Sequence, residues 1–253
     1  MSNNGILLHI PHASKVIPKQ WRSIFLLTDE LLEKELITMT DSFTDELFDL
    51  GAKTDRLEFP VSRLLVDPER FSEDADEPMS AKGMGAVYTK THDGQPLKHD
   101  NQRASLMEEY YFPHHIKLED WVQSQLDNSG RCFIIDCHSY PSLPISCDLS
   151  QEPNRPDFCL GTAEPHTPAS LVAASVRAFE SFGYSVTVDK PYAGTIVPLK
   201  FFGTDPRVSS MMIEVNRKLY MDEKTGEKSD RFERTKLNLL SCLELIIENW
   251  TSV

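Results

Sequence analysis

The sequence predicts a single α/β domain over residues 1–253, and three of its features support this fold class. Short apolar runs alternate along the chain with longer segments in which apolar residues recur at helical spacing. Hydrophobic residues make up 40% of the chain and charged residues 26%, which suits one large domain with a full core. Neither an internal repeat nor a linker interrupts this pattern.

The charge balance narrows the classes of partner. The net charge is −13, from 26 basic and 39 acidic residues, and no basic stripe is present. We therefore expect neither nucleic acid nor an anionic membrane surface as a partner. The acidity does not exclude a small anionic substrate, because a few local arginines can bind one.

The cysteines and the N-terminus indicate where the protein works. Five cysteines, an odd number without a Cys-x-x-Cys pair, predict free thiols in a reducing compartment. The N-terminus lacks the basic region and apolar core of a signal peptide, and no apolar run approaches the roughly 18 residues of a membrane span. We expect a soluble, cytoplasmic protein; the sequence leaves its oligomeric state open.

The first predicted element is a buried strand over residues 5–10, which ends at Pro11. His12 follows within a turn of small residues, so its side chain is free to project from the strand end. His9 lies inside the strand, and we interpret it as structural.

The second predicted element is a helix that begins at Thr28 or Asp29 and ends near Leu50, before Gly51. Its apolar residues recur at steps of three and four and form one stripe: Leu32, Leu36, Met39, Phe43, Leu47 and Leu50. This spacing is typical of an amphipathic helix.

Two acidic residues of this helix, Asp41 and Asp45, are four residues apart and share the face opposite the stripe. One interpretation is that this face is solvated. The other starts from Ile37, Thr44 and Phe48, which border Asp41 and indicate that this side is partly covered. A covered carboxylate needs a partner, and a metal ion is one candidate.

A strand is predicted over residues 58–67, with Arg63 inside it and Arg70 shortly after. An arginine within an apolar strand needs an acceptor, and a carboxylate that accepts from both arms of the guanidinium suits it best. The alternative is an internal salt bridge to Asp67 or Glu69.

The middle of the chain is predicted to be irregular and then helical. Residues 72–104 are rich in Asp, Glu, Gly and Pro and predict a long loop, with a short strand at 87–89. A helix over about 105–126 follows, which Pro113 should kink or divide. The two histidines after this proline suit the core or rim of the domain better than a site.

The central predicted strand covers residues 133–140. From Cys132 to Cys137 each residue is apolar or small except Asp136, and His138 comes next. Ligands of open α/β sheets bind beyond the carboxyl ends of strands, so His138 is a candidate metal ligand with Asp136 as its orienting partner. The alternative is a core strand that happens to end in polar residues.

The remaining pattern continues the alternation of strands and helices. Strands are predicted at 158–161 and 184–188, with a helix over 167–183 between them. A late strand at 209–216 and a final helix over 230–250 complete the chain.

Glu214 lies inside the apolar strand at 209–216, near its end. A carboxylate at such a position is either paired or takes part in chemistry. Pairing with Arg217 or Lys218 is therefore the alternative to a catalytic role.

Together, the polar residues at strand ends suggest a hydrolytic zinc site, which needs two imidazoles and a carboxylate around an open position. The candidates are His12, His138 and Glu214 at strand ends, together with the helix pair Asp41 and Asp45. A further carboxylate next to the metal-bound water can act as general base. The sequence contains no His-Glu-x-x-His, Gly-x-Ser-x-Gly or phosphate-loop motif, which leaves nucleophile and nucleotide chemistry poorly supported.

Six short segments, by their order and spacing, make the chain resemble the N-formylglutamate amidohydrolase family over most of its length. They are residues 8–14, 40–47, 62–67, 83–88, 111–115 and 135–139. The resemblance implies a fold similar to that of zinc carboxypeptidases, a three-layer arrangement of a mixed sheet flanked by helices, with the metal at strand ends. It also implies hydrolysis of the formamide of N-formyl-L-glutamate to formate and glutamate, late in histidine degradation.

The resemblance also implies a set of metal ligands. It implies one Zn²⁺ ion per chain, bound by His12, Asp41 and His138. Asp45 is the alternative to Asp41 in this set.

Further roles follow from the same resemblance. It implies Glu214 as the general base and implies that Arg63 and Arg70 bind substrate carboxylates. The chain departs from the usual family pattern at residues 13–14, which are Ala-Ser, and at residues 67–70, which are Asp-Pro-Glu-Arg in place of Asp-x-Asn-Arg. Both departures bear on the identity of the substrate more than on the chemistry.

Two other functions stay open at this point. One is a metal-dependent amidase or peptidase that acts on another N-acyl amino acid or a small peptide. The other is a noncatalytic relative that binds a carboxylate ligand. Metal analysis with formate release separates enzyme from binder, and a panel of N-acyl amino acids separates the two enzymes.

Overall fold

The structure, a computed structural model, describes residues 5–99 and 101–252. Its central sheet consists of β1 (Ile6–Ile10), β2 (Asp55–Glu58), β3 (Cys132–Tyr140), β4 (Phe158–Gly161), β5 (Val186–Val188) and β6 (Val208–Asn216). The strands are ordered β2-β1-β3-β6-β4-β5, and β4 runs antiparallel to β6 while the other neighbours run parallel. A separate hairpin is formed by β7 (Met221–Asp222) and β8 (Glu227–Lys228).

The α-helices of the described residues lie before, between and after these strands. They are α1 (Lys19–Arg22), α2 (Asp29–Met39), α3 (Thr44–Leu47), α4 (Arg103–Leu106), α5 (Phe112–Ser129), α6 (Ala169–Ser181) and α7 (Phe232–Thr251). A π-helical turn joins α4 to α5, and short 3-10 helices add to the connections: Met107–Tyr111, then Gly51–Lys53, Pro78–Lys82 and Arg217–Leu219.

Helices cover both faces of the sheet, because successive side chains of each strand point to opposite faces. Leu8 and Ile135 face one side and share a core with residues of α3, α6 and α7. Leu7 and Ile134 face the other side and pack with residues of α5. The mixed α/β fold with flanking helices, which the sequence predicts, is confirmed.

The register of the sheet brings polar side chains together at the carboxyl ends of three neighbouring strands. His9 of β1 is the partner of Asp136 of β3, and His138 of β3 is the partner of Glu214 of β6. By the alternation along these strands, all four lie on the face that α5 covers. This edge of the sheet is where ligands bind in open α/β folds.

A second hydrophobic core lies beside the sheet. It contains Leu36 of α2, Leu64, and residues from the long connection between β2 and α4, including Met84, Tyr88 and Leu97. The predicted loop over 72–104 is therefore packed through its apolar side chains. This packing supports the connection that carries the two candidate substrate-binding arginines, Arg63 and Arg70.

The predicted helix over 28–50 is wrong in its second half. α2 ends at Met39, Thr40 is extended, and the backbone N–H of Asp41 donates to the carbonyl of His12 at 3.0 Å. Threonine and aspartate side chains also offer the backbone local alternatives to helical hydrogen bonds. The helix therefore breaks where the apolar stripe alone would continue it, and Asp41 lies in the connection between α2 and α3.

The predicted strand over 58–67 is also wrong. β2 lies earlier in the chain, and Pro60 cannot donate to a ladder of strand hydrogen bonds. The carbonyl of Ser62 accepts from the N–H of Leu65 at 2.8 Å, which closes a turn that contains Arg63. Arg63 therefore projects from a turn instead of a strand.

Two further predictions concern the segment before the central strand. Residues 87–89 form no strand in the described structure, and Val87 and Tyr88 instead pack into the second core. The predicted division of the helix at Pro113 is close to the observed one, because the π-helical turn ends at Tyr111 and α5 begins with Pro113 in its first turn.

Candidate functional site

His12 projects from the end of β1 into a buried group of ionisable side chains. Its Nε2 atom lies 2.8 Å from Asp67 Oδ1, and its Nδ1 atom lies 3.6 Å from Asp41 Oδ2. Nδ1 is buried and has no hydrogen-bond partner among the residues that the structure describes. One imidazole nitrogen is therefore held by a carboxylate, while the other is free to bind a ligand.

Asp41 lies between basic groups that fix both of its carboxylate oxygens. Its Oδ2 atom is 3.1 Å from His138 Nδ1, and its Oδ1 atom accepts from Arg217 Nη2 at 2.9 Å. Burial acts to raise the pKa of Asp41, but interactions with His12 and His138 hold that pKa well below its usual range. The carboxylate is therefore ionised, and its Oδ2 atom faces the imidazoles.

His138 presents its two ring nitrogens to different carboxylates. Nδ1 faces Asp41, whereas Nε2 lies 2.9 Å from Glu69 Oε2 and 3.1 Å from Asp136 Oδ1. The arrangement repeats that of His12, in which Nε2 is held by a carboxylate and Nδ1 faces Asp41 Oδ2. These three atoms form a candidate set of metal ligands, with the two histidines oriented by carboxylates behind them.

Glu214 lies beside His138 on the neighbouring strand and is 7% exposed. Its Oε2 atom is buried without a hydrogen-bond partner in the described part of the chain. Burial raises the pKa of Glu214 to about 8, with His138 opposing the rise and Asp41 adding to it. The pairing with Arg217 that the sequence left open is replaced by the bond from Arg217 to Asp41.

Arg63 and Arg70 both contact Asp67, at one side of the candidate ligand set. Arg63 Nη2 donates to Asp67 Oδ2 at 2.9 Å, and Arg70 Nε lies 3.5 Å from the same oxygen. Tyr88 also donates to Asp67 Oδ2, at 2.6 Å, and accepts from Arg63 Nε at 3.2 Å. The internal salt bridge considered as an alternative for Arg63 is therefore present. The side chains of Arg63 and Arg70 remain 14% and 24% exposed.

Asp45, the alternative to Asp41, lies among other carboxylates. It is half-buried in α3, and burial together with the nearby Glu58 raises its pKa. Its backbone carbonyl accepts from Arg56 Nη2 at 2.8 Å. The geometry favours Asp41 over Asp45 as a partner of the two histidines.

His9 and Glu69, which sequence reasoning did not assign to the site, lie in the same buried cluster. His9 Nδ1 is 2.8 Å from Asp136 Oδ1 and 3.4 Å from Glu69 Oε1, and its Nε2 is 2.9 Å from His114 Nε2. Burial opposes the change, but Asp136 and Glu69 raise the pKa of His9 to about 9. Burial and the adjacent His9 lower the pKa of His114 to about 2. Without a bound metal ion, His9 is therefore a buried cation beside a neutral imidazole.

The two histidines of the candidate ligand set, His12 and His138, belong to a group of side chains that could hold a divalent metal ion, and the third member of that group is Glu69 instead of Asp41. Two groups of three residues in the described chain have ligand atoms that all lie within 4.8 Å of one another: His12 with Glu69 and His138, and His9 with Glu69 and Asp136. A buried polar atom without a partner calls for an explanation, and His12 Nδ1, facing Asp41, is such an atom. Mixed imidazole and carboxylate donors suit zinc and other first-row divalent ions.

No helix within residues 5–99 and 101–252 combines the length and the apolar composition that a bilayer crossing requires. The five cysteines are buried as free thiols.

Comparisons with known proteins identify the family. A sequence model of N-formylglutamate amidohydrolase matches residues 4–221. The curated proteins contain no match to this chain.

Two solved structures share the fold. The first is N-formylglutamate amidohydrolase from Ralstonia eutropha JMP134, with a TM-score of 0.84 and 20% identity over 100% of this chain and 96% of that one. The second is the gene product Atu2144 from Agrobacterium tumefaciens, with a TM-score of 0.68 and 16% identity over 98% and 91% of the two chains. Because the family match spans most of the sequence, this chain belongs to the N-formylglutamate amidohydrolase family and is an amidohydrolase.

Proposed function

We propose that this protein is a zinc-dependent amidohydrolase that cleaves the formamide bond of N-formyl-L-glutamate, releasing formate and L-glutamate in histidine degradation. One observation carries the proposal. In a chain of this family, His12 Nδ1 and His138 Nδ1 both face Asp41 Oδ2, at 3.6 Å and 3.1 Å, and His12 Nδ1 is buried without a hydrogen-bond partner in the described chain.

The Zn²⁺ ion of the proposed reaction would be held by His12, Asp41 and His138. When bound, such an ion supplies Lewis-acid chemistry, which polarises a carbonyl and makes water more acidic. Asp67 holds His12 from behind, and Asp136 and Glu69 hold His138. These carboxylates fix the ring orientations and increase the basicity of the nitrogens that face Asp41.

Glu214 is the proposed general base. Burial raises the pKa of Glu214 to about 8, which supports a role as proton acceptor. A nearby cation would lower that pKa and keep the group ionised at neutral pH. Glu214 takes a proton from the attacking water and delivers it to the leaving nitrogen as the formamide C–N bond breaks, so that formate and the amine are released.

Arg63 and Arg70 are the proposed partners of a substrate carboxylate. Both guanidiniums contact the single carboxylate of Asp67, so these three side chains together carry a net charge of about +1. The partly exposed guanidiniums offer N–H groups in a fixed fork, which matches the geometry of a carboxylate. Anchoring the carboxylate there would orient the formamide toward His138 and Glu214.

A second candidate is a metal-dependent amidase acting on another N-acyl amino acid. Glu69 favours it, because this carboxylate lies 2.9 Å from His138 and would repel a substrate carboxylate brought close to it. A substrate with fewer acidic groups would avoid that repulsion.

The deciding experiment is formate release by the full chain. The protein is reconstituted with zinc and assayed with N-formyl-L-glutamate, N-formyl-L-glutamine and N-acetyl-L-glutamate. The proposal expects the first substrate to have the highest kcat/KM. A preference for N-formyl-L-glutamine would favour the second candidate, and no turnover of any substrate by zinc-bearing protein would favour a noncatalytic carboxylate binder.

We further propose that the protein works in the cytoplasm on a small molecule, without nucleic acid or membrane as partner. The acidic net charge of −13 and the five free cysteines support this.

A further inference from the structure

We propose that His9, Glu69 and Asp136 form a second divalent-cation site, buried beside the one assigned to His12, Asp41 and His138. The two sites share no proposed ligand. They touch where Glu69 and Asp136 contact the outer nitrogen of His138.

The three donor atoms are already close together. His9 Nδ1 lies 2.8 Å from Asp136 Oδ1 and 3.4 Å from Glu69 Oε1, and the ligand atoms of all three residues lie within 4.8 Å of one another. Ligands bound to zinc at about 2.0–2.2 Å in tetrahedral geometry are about 3.4 Å apart, so small side-chain adjustments suffice to admit an ion.

Each donor residue is also held in place through its other polar atom. His9 Nε2 lies 2.9 Å from His114 Nε2, and Asp136 Oδ2 accepts from the N–H of Ile196 at 3.1 Å. Glu69 Oε2 lies 2.9 Å from His138 Nε2. Such outer contacts are how proteins orient the ligands of a metal, and here they aim one atom of each residue at a common point.

The competing explanation is a simple ion pair between His9 and Asp136. That pair satisfies His9 Nδ1 and Asp136 Oδ1. Glu69 Oε1, 3.4 Å from His9 Nδ1, remains buried without a hydrogen-bond partner among the described residues. A buried carboxylate oxygen without a donor is costly, whereas an ion shared by the three residues satisfies it. One imidazole and two carboxylates suit zinc, manganese, iron or cobalt.

The second ion would also act on the first site. Glu69 contacts His138 Nε2 through Oε2 and would contact the ion through Oε1, whereas Asp136 Oδ1 lies close to both His9 Nδ1 and His138 Nε2. Both carboxylates therefore hold the ring whose Nδ1 faces Asp41. We therefore expect the loss of the second ion to weaken metal binding at the first site without abolishing it.

The test is a count of bound metal in the full-length protein. The chain is stripped with a chelator, equilibrated with zinc chloride, freed of excess metal by gel filtration and analysed for zinc per protein. The wild type should bind two ions, whereas His9→Gln and His12→Gln should each bind one. His92→Gln is the matched control, because His92 also pairs with a carboxylate, Glu35, outside this cluster, and it should bind two.

A crystal of the zinc-loaded wild type, measured at the zinc absorption edge, gives a reading that does not depend on variants folding. Two anomalous peaks, one of them at His9, are expected. A wild type that saturates at one ion, lost in His12→Gln but kept in His9→Gln, would overturn the second site and leave the proposed function intact. Protein that binds no zinc would overturn both.

Discussion

His138 and Glu214 are direct partners across the β3–β6 ladder. Neighbouring strands lie about 4.8 Å apart, so this register fixes a candidate metal ligand next to a candidate base. The apolar residues that precede each of them, Ile135 and Met211 among them, are also register partners and are fully buried. Packing of the sheet thus sets the spacing of two groups that hydrolysis needs together.

The first prediction is that His138→Ala loses the metal and the activity but keeps the fold. The change removes Nδ1 from the ligand set, while the apolar residues of β3 remain. Zinc per protein should fall by at least one ion, and far-ultraviolet circular dichroism should match the wild type. His92→Gln serves as control. Undiminished zinc in His138→Ala would place the metal elsewhere.

The second prediction concerns the base. Glu214→Gln keeps the shape of the side chain and removes the proton acceptor, so kcat should fall by about 10²–10⁴-fold, as for other general bases. Zinc content and KM should change little. Near-normal kcat would assign the proton transfer to another carboxylate, and Asp45 and Glu77 would be tested next.

The third prediction concerns pH. A general base works in its ionised form, so kcat/KM should rise with pH through the pKa of Glu214 and level off above it. Burial raises that pKa to about 8 in the protein alone, and a nearby cation lowers it, so the rise should be centred below 8. The profile of Glu214→Gln should lack this rise. If the variant keeps it, another group controls the rate.

Sequence patterns predicted the strands that carry the site. The apolar runs around Ile6, Ile134 and Met212 mark buried strands, and His12, His138 and Glu214 follow from their position at or beyond strand ends. Those residues lie close together because parallel strands end at one edge, which is a general property of such sheets.

The rest of the site depends on contacts between distant parts of the chain. Asp41 leaves the predicted helix because His12 and Arg217, which are 29 positions before it and 176 after it, bind its backbone and carboxylate. His9 meets Asp136 across 127 positions. No local period encodes such pairs, so the helix break, the role of Arg217 and the contacts of Glu69 were not predictable from spacing.

The fourth prediction concerns substrate binding. Arg63→Lys keeps a positive charge but loses the planar fork that contacts Asp67 and Tyr88. Losing one charge-assisted hydrogen bond of about 1.5–3 kcal/mol should raise KM for N-formyl-L-glutamate roughly tenfold or more. Arg56→Lys is the control, because Arg56 is similarly half-buried and pairs with Glu58 away from the candidate ligand set. An unchanged KM would restrict Arg63 to its salt bridge with Asp67.

The last prediction concerns Arg217, which holds Asp41 in place. Its buried guanidinium donates to Asp41 Oδ1 at 2.9 Å, to the carbonyl of Thr38 at 2.6 Å and to Ser139 Oγ at 3.2 Å. Arg217→Met fills similar space but leaves Asp41 as a buried carboxylate with one basic partner fewer. Removing one partner of a buried ion pair typically costs about 3–5 kcal/mol, so the free energy of unfolding should fall by that order in urea titrations of the metal-free protein. Because metal binding neutralises Asp41, removing Arg217 should lower the Kd for zinc. At the same free zinc concentration, zinc should therefore restore part of the lost stability and stabilise the variant more than it stabilises the wild type. An Arg217→Met variant as stable as the wild type would mean that the two imidazoles alone suffice to compensate the charge of Asp41.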